Sequence, residues 1–201
     1  MTRKDLRPRQ RLGATARTQT IIDAAAAQFA RMAYAEVTVA GIAREAEASE
    51  ALVYRYFDTK AALYAQVVRR AVEELSAAQQ AAVAALHPRT PVQAKLRAAL
   101  AVYLDHIAGH PHAWAGLDAA QEPAEALAVR AHARAAAVDD LAAMLTPNPS
   151  ARHRYALWGH YGFLDGACLA WARAGCPADD RSPLIEAALG GLEGALGDWA
   201  A

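Results

Sequence analysis

The sequence predicts an all-α fold, and three observations carry that expectation. Of the 201 residues 55% are hydrophobic, and much of that share is alanine, a strong helix former. Alternating β-branched runs, the period-two mark of a strand, are missing. Between Gly, Pro and Asn turn signals, apolar residues recur at i, i+3, i+4 and i+7, the spacing of one buried helix face. The chain is long enough to bury a sizeable core, and its apolar content excludes a disordered protein.

Residues 1–16 carry Arg3, Lys4, Arg7, Arg9 and Arg11 around Pro8 and Gly13, and are expected to form a disordered basic arm. A first helix is expected from Thr18 to Tyr34, with Ile21, Ile22, Ala25, Phe29 and Met32 turned inward. Thr38 is a good N-cap for a second helix whose Val39, Ile42, Ala43 and Ala46 share one face. Ala46-Glu47-Ala48 is then a tight turn, and Ser49 caps a third helix. Val53 and Phe57 face the core at i, i+4, leaving Glu50, Ala51, Leu52, Tyr54 and Arg55 outward or partly outward. Such a face suits a groove of DNA. Asp58 is expected to cap the next helix, with Lys60 in its first turn; a cation there opposes the helix dipole, and a nearby phosphate would explain it.

Thr38, Ile42-Ala43, Ala46-x-x-Ser49, Tyr54-x-Tyr56-Phe57, Lys60 and Leu63 resemble the DNA-binding signature of TetR-family transcriptional regulators. The likeness reaches back to Ile21 and covers the first third of the chain; beyond it the resemblance is one of architecture. Three positions depart from it, Ala33, Glu47 and Ala51, where the family often has glycine. The resemblance implies a helix-turn-helix domain over 17–66, followed by a helical ligand-binding and dimerisation domain over 67–201. It places Thr38, Ser49, Glu50, Ala51, Leu52, Tyr54, Arg55, Tyr56 and Lys60 at the DNA, with Thr38, Tyr56 and Lys60 on phosphates. Glu50, where the family often has lysine, is expected to accept from the amine of cytosine or, less often, adenine.

After Asp58 the helical pattern runs to Leu86 and stops at His87-Pro88, long enough to join head and body. Thr90-Pro91-Val92-Gln93 has the form of a capping box with proline at the first helical position, opening a helix that Gly109 ends. Pro111 and Gly116 bracket a short turn of helix. Pro123 opens another that runs to Leu145 and is broken by Thr146-Pro147-Asn148-Pro149. Ser150 caps a helix ending near Gly175, and Ser182-Pro183 opens a last one. Gly162 and Gly166 on the first of these, and Leu189, Leu192 and Leu196 on the second, are the expected dimer contacts, since the family's last two helices pair with their copies. Packing within the monomer is the competing account of those glycines.

Net charge is zero overall, but residues 1–70 hold 12 Lys+Arg against 7 Asp+Glu and the remainder 9 against 14. A basic end on an acidic body is the footprint of nucleic-acid binding. Cys168 and Cys176 form neither a zinc pattern nor a disulfide framework, as expected of reduced thiols in the cytoplasm. No signal peptide or membrane span is read. Enzyme signatures are absent, and no cofactor is expected: there is no phosphate-cradling glycine loop, nucleophile elbow or HExxH pair. His106 and His110 have metal-compatible spacing, but Gly109 and Pro111 interrupt it, so no metal site is expected.

Tyr103, His106, Trp114, Tyr155, Trp158, Tyr161 and Asp165 are the candidate lining of a small-molecule pocket between body helices, with ordinary core packing as the competing account. The function expected is that of a homodimeric regulator, a repressor released from a palindromic double-stranded operator by a small-molecule effector. The alternative is a ligand-binding or structural helical protein with a weakened DNA-binding head, since Glu47 and Glu50 would face a polyanion.

Overall fold

The computed structural model describes residues 13–110, 122–145 and 150–197, and among these it is helical with no strand. The helices are α1 (Ala14–Phe29), α2 (Val39–Glu45), α3 (Glu50–Tyr56), α4 (Lys60–Ala84), α5 (Val92–Gly109), α6 (Ala124–Met144), α7 (Ala151–Arg173) and α8 (Arg181–Leu196), with a 3-10 turn at Ala178–Asp180 before the last. No helix of the described residues is long and apolar enough to cross a membrane.

Two apolar cores follow from the periodicity. Ile21, Ala25 and Phe29 of α1, Val39, Ile42 and Ala43 of α2, Val53 and Phe57 at α3, and Leu63 of α4 close the N-terminal core. The second joins Leu96, Leu100, Leu104 and Ile107 of α5, Val138 and Leu141 of α6, Leu157, Leu164, Cys168 and Trp171 of α7, and Ile185, Leu189 and Leu192 of α8. Helix α4 packs on α1 and also on α5 and α6, so it is the element shared by both halves.

Several helix ends differ from expectation, each for a local reason. Helix α1 begins at Ala14, inside the segment expected as an arm, with Gly13 at the N-cap position and the Thr18 and Thr20 hydroxyls absorbed into the helix, donating to the Ala14 and Ala16 carbonyls at 3.0 and 2.9 Å. It stops at Phe29, leaving Met32 38% exposed and outside the core. Thr59, not Asp58, caps α4, its hydroxyl accepting from the Ala62 amide at 2.9 Å. The capping box at Thr90 does not form: Pro91 occupies the N-cap position of α5, and the Thr90 amide donates to the His87 carbonyl instead. Ser150 caps α7 as expected, accepting from the His153 amide. Residues 1–12, the turn bracketed by Pro111 and Gly116, and the break at 146–149 lie outside the described residues.

Helix α2 ends in a Schellman turn, with the Ala48 amide donating to the Ala43 carbonyl at 2.8 Å and the Glu47 amide to the Arg44 carbonyl at 3.3 Å. That turn requires a left-handed residue, and Glu47 takes it with φ 48°. The same motif ends α7, where Gly175 (φ 83°) supplies the conformation without strain. Glu47→Gly is therefore expected to stabilise the fold by about 0.5 to 1 kcal/mol, relief of left-handed strain offset in part by the looser unfolded chain. Thermal denaturation reads it out, and a lower melting temperature for the variant would refute the strain.

Between α7 and α8 lies His160, 6% exposed, its Nδ1 lacking a hydrogen-bond partner among the described residues. Burial holds its pKa below the ordinary 6.5, against the opposing effect of a backbone bond to Ala188. Burial and then the His110 charge lower His106 likewise. The unfolded chain thus binds these protons more readily than the native one. Stability is fully present above about pH 6.5 and falls as pH drops from there toward the depressed native values. Denaturant titrations at about pH 7.5 and 5.5 should show the fall, and His160→Gln should flatten it; an equally steep fall in the variant would exclude His160 as its source.

Candidate nucleic-acid interface

The N-terminal helices are locked to one another before any outward face is considered. A Cβ on Gly41 would lie 2.9 Å from Gln28 Oε1, so the bare backbone at position 41 leaves room for the Gln28 amide between α1 and α2. Gln28, 5% exposed, donates from Nε2 to Glu45 at 3.0 Å, and Glu45 pairs with Arg31 at 2.9 Å. The first of these bonds and the ion pair together hold the Glu45 carboxyl below its usual range.

On that platform Thr38 Oγ1 accepts from the Gly41 amide at 3.1 Å and Ser49 Oγ from the Leu52 amide at 3.2 Å, fixing the starts of α2 and α3. Val53 and Phe57 are buried, which turns Glu50, Ala51, Tyr54 and Arg55 to solvent, with Leu52 and Tyr56 half-buried. Tyr54 is 48% exposed, a large ring without apolar cover. The outward face expected from the sequence is present, and both capping hydroxyls are exposed and keep a proton to donate.

Lys60 is not part of it. Its Nζ donates to the carbonyls of Tyr34 and Val37 at 2.8 and 3.0 Å and sits 4.2 Å from the centre of the Tyr34 ring. Partial burial draws its pKa below the usual lysine value. The reason a cation is tolerated in the first turn of α4 is this inward clamp and not a phosphate. Tyr34 in turn stacks on Phe29 and tilts against Tyr64.

The remaining N-terminal cations sort by partner. Arg31 is held by Glu45, and Arg70 by Asp23 and Glu74. Arg17, Arg44, Arg55 and Arg69 make no ion pair or hydrogen bond through their guanidinium groups among the described residues. Arg17 and Arg44 escaped the sequence reading because they lie outside the third helix; their helical register, which puts neither on the buried face, was the available signal.

In the body the expected pocket residues separate. Tyr103 and Tyr161 pack against the core, and burial raises both phenols, that of Tyr161 to about 12. The Tyr161 hydroxyl donates to the Ala137 carbonyl at 2.9 Å, joining α7 to α6. Asp165 pairs with Arg134 at 2.6 Å across the same two helices. Burial pushes the neighbouring Cys168 thiol up to about 12, so it is an unreactive apolar filler. His106 is half-buried beside His110. Trp114 lies outside the described residues. Tyr155 and Trp158 are corrections: at 67% and 43% exposure they point away from the interior, because the inner face of α7 runs through His153, Leu157, His160, Leu164 and Cys168. Among the described residues no group of three His, Cys, Asp or Glu could hold a metal.

The expected dimer contacts divide as well. Leu189 and Leu192, each 1% exposed, belong to the core of the protomer, and Leu196 packs against it, so these leucines face their own chain. Gly162 and Gly166 are exposed, and a Cβ on either would meet nothing within 4 Å. One contact had no sequence signal: the carboxylate of Glu122 accepts from Tyr64 of α4 at 3.1 Å and from Arg130 of α6 at 2.9 Å.

Residues 21–67 match the family described as bacterial regulatory proteins, tetR family. A comparison with curated proteins finds no match. Solved structures of the same fold include a tetR-family transcriptional regulator from Streptomyces coelicolor, 24% identical with a TM-score of 0.75, covering 93% of this chain and 91% of that one. The fatty acid degradation regulator FadR from Bacillus halodurans is 20% identical, with a TM-score of 0.69 over 91% of this chain and 98% of its own. FadR from Bacillus subtilis, solved in complex with stearoyl-CoA, is 18% identical, with a TM-score of 0.63 over 88% and 96%.

Lys60→Met is expected to lower stability by about 1.5 to 3 kcal/mol, the range for hydrogen bonds involving a charged group. It should leave the dependence of DNA affinity on salt as in wild type. A log-affinity slope flattened by about 0.9 would instead return Lys60 to a phosphate.

Proposed function

We propose that this chain, a DNA-binding transcriptional regulator of the tetR family, acts as a homodimeric repressor that a small-molecule effector releases from a palindromic operator. The observation that carries the reading is the outward face of α3, held rigid by the Ser49 cap and the Val53 and Phe57 anchors. Glu50, Ala51 and Leu52 lead that face into the major groove; Thr38, Tyr54, Arg55 and Tyr56 position it on the backbone. A carboxylate at Glu50 selects the cytosine or adenine amine, and Ala51 and Leu52 offer apolar contact to a thymine methyl.

Two copies meet, in this reading, through the exposed stripe of α7 that holds Tyr155, Trp158, Gly162, Phe163 and Gly166, laid on the flat stripe of α8 that holds Gly190, Gly191 and Gly194. Large rings on one helix and bare backbone on the other are complementary shapes, and exposed rings so close together mark an interaction surface. The body, 67–201, is proposed as the effector domain, its site among α5, α6 and α7 near Tyr103, His106, Tyr161 and Asp165. That FadR from Bacillus subtilis holds stearoyl-CoA supports the capacity of such a body for a small molecule. The bridge from α6 through Glu122 to Tyr64 on α4 is the route by which a shift of the body would move the head. The effector acts only through unequal affinity for the two states.

Selection from random duplexes tests the head: wild type should enrich a palindrome with half-site centres about 34 to 36 Å apart. Glu50→Ala should lose preference at one base pair per half-site, worth about 1 to 3 kcal/mol. No enriched sequence for wild type would leave the weakened-head alternative. Sedimentation tests the pairing, since Gly162→Leu disturbs nothing within the protomer and should give monomers; an intact dimer would move the interface elsewhere.

A further inference from the structure

A shallow groove of about 570 Å³ opens where three helices meet, lined by Arg17 of α1, Arg44 of α2, Glu47 and Ala48 of the turn, and Ser49 and Leu52 at the start of α3. Among the described residues its two guanidinium groups have no hydrogen bond or ion pair, although Arg31, Arg70 and Lys60 of the same head have found carboxylates or carbonyls. Two cations in one groove repel each other. Among the described residues Glu47 is the one anion lining the groove, and it bonds to neither arginine. Two guanidinium groups against one carboxylate leave the groove with a net positive charge, which suits an anion. Its last wall is the beginning of the recognition helix, so a strand whose bases meet Glu50 and Leu52 brings its backbone past this opening.

We propose that Arg17 and Arg44 together clamp one phosphate of the operator backbone in this groove, and that the Glu47 carboxylate opposes that phosphate and tempers the grip. Glu47 is there at a conformational cost, with φ 48° at a position where glycine is unstrained. The carboxylate it brings weakens backbone binding, which is independent of sequence, and leaves base contacts to distinguish the operator from other DNA. The inference rests on the DNA-binding reading above and assigns a role to three residues outside the recognition face.

Operator affinity measured by fluorescence anisotropy over a range of chloride concentrations tests it, using the full chain, the selected operator and the variants Arg17→Ala, Arg44→Ala, their double and Glu47→Gln. Each single arginine variant should bind about tenfold more weakly. Because both hold one phosphate, the double should lose less than the product of the singles, and its log-affinity slope should flatten by about 0.9. Glu47→Gln keeps the backbone conformation and removes only charge, so it should bind about three- to tenfold tighter at low salt, the gain shrinking as salt rises. Replacing chloride by inorganic phosphate at equal ionic strength should weaken operator binding mainly in proteins that keep both arginines, because the free anion competes for the clamp; an equal loss in the double variant would overturn it. Arginine variants with wild-type affinity and slope, or a double with multiplied losses and a slope change of about 1.8, would overturn it too. Unchanged affinity in Glu47→Gln would remove the tempering role. If wild type itself selects no operator, the regulator reading fails first; if wild type binds and these variants match it, this inference alone fails.

Discussion

The ammonium of Lys60 on the carbonyls of Tyr34 and Val37 is the constraint through which the two halves of the chain are registered. It ties the loop that leaves α1 to the first turn of α4, and α4 is the helix that continues into the body. Tyr34, held under that ammonium, packs with Phe29 and Tyr64, so the clamp is continued by an aromatic cluster. Tyr64 then reaches the buried carboxylate of Glu122 and through it Arg130. A chain of direct contacts therefore runs from the loop before the helix-turn-helix to α6. Each link is polar or aromatic and part-buried, which makes it directional in a way that an aliphatic contact is not.

Charge in the N-terminal third is divided by the same logic. Cations that fall near a carboxylate or a free carbonyl on a neighbouring helix are drawn inward and brace the fold; Arg31, Lys60 and Arg70 are of this kind. Those left without a partner among the described residues, Arg17, Arg44, Arg55 and Arg69, supply the external field. Net charge counts both groups equally, but only the second is available to a polyanion at full strength. The excess read from composition was therefore correct in sign, while its effective carriers are fewer than the count.

Helix α7 shows how one element serves two surfaces. Its inner side packs on α8 and α5 through Leu157, Leu164, Cys168 and Trp171, while the opposite stripe leaves Tyr155, Trp158 and Phe163 uncovered beside three glycines. A helix apolar on both sides has too little polar surface to end in water. The apolar content of the segment is visible in the sequence; which residues belong to which side is not.

What the sequence by itself determined was local: the helical class, the caps at Thr38, Ser49 and Ser150, the turn at Glu47, and the outward set on α3. These depend on hydrogen bonds and side-chain spacing within one or two turns of chain, so they are written in consecutive residues. The likeness of residues 21–67 to the tetR family was legible for the same reason. Tertiary structure alone decided where long side chains end. Lys60 bonds residues 26 and 23 positions away, Asp165 finds Arg134 at 31, and Tyr64 finds Glu122 at 58. It also decided that Leu189 and Leu192 face their own core while Tyr155 and Trp158 face out, since the rotation of a helix about its axis is set by what packs against it. An apolar pattern says that a face is covered; only the neighbouring helices say by what.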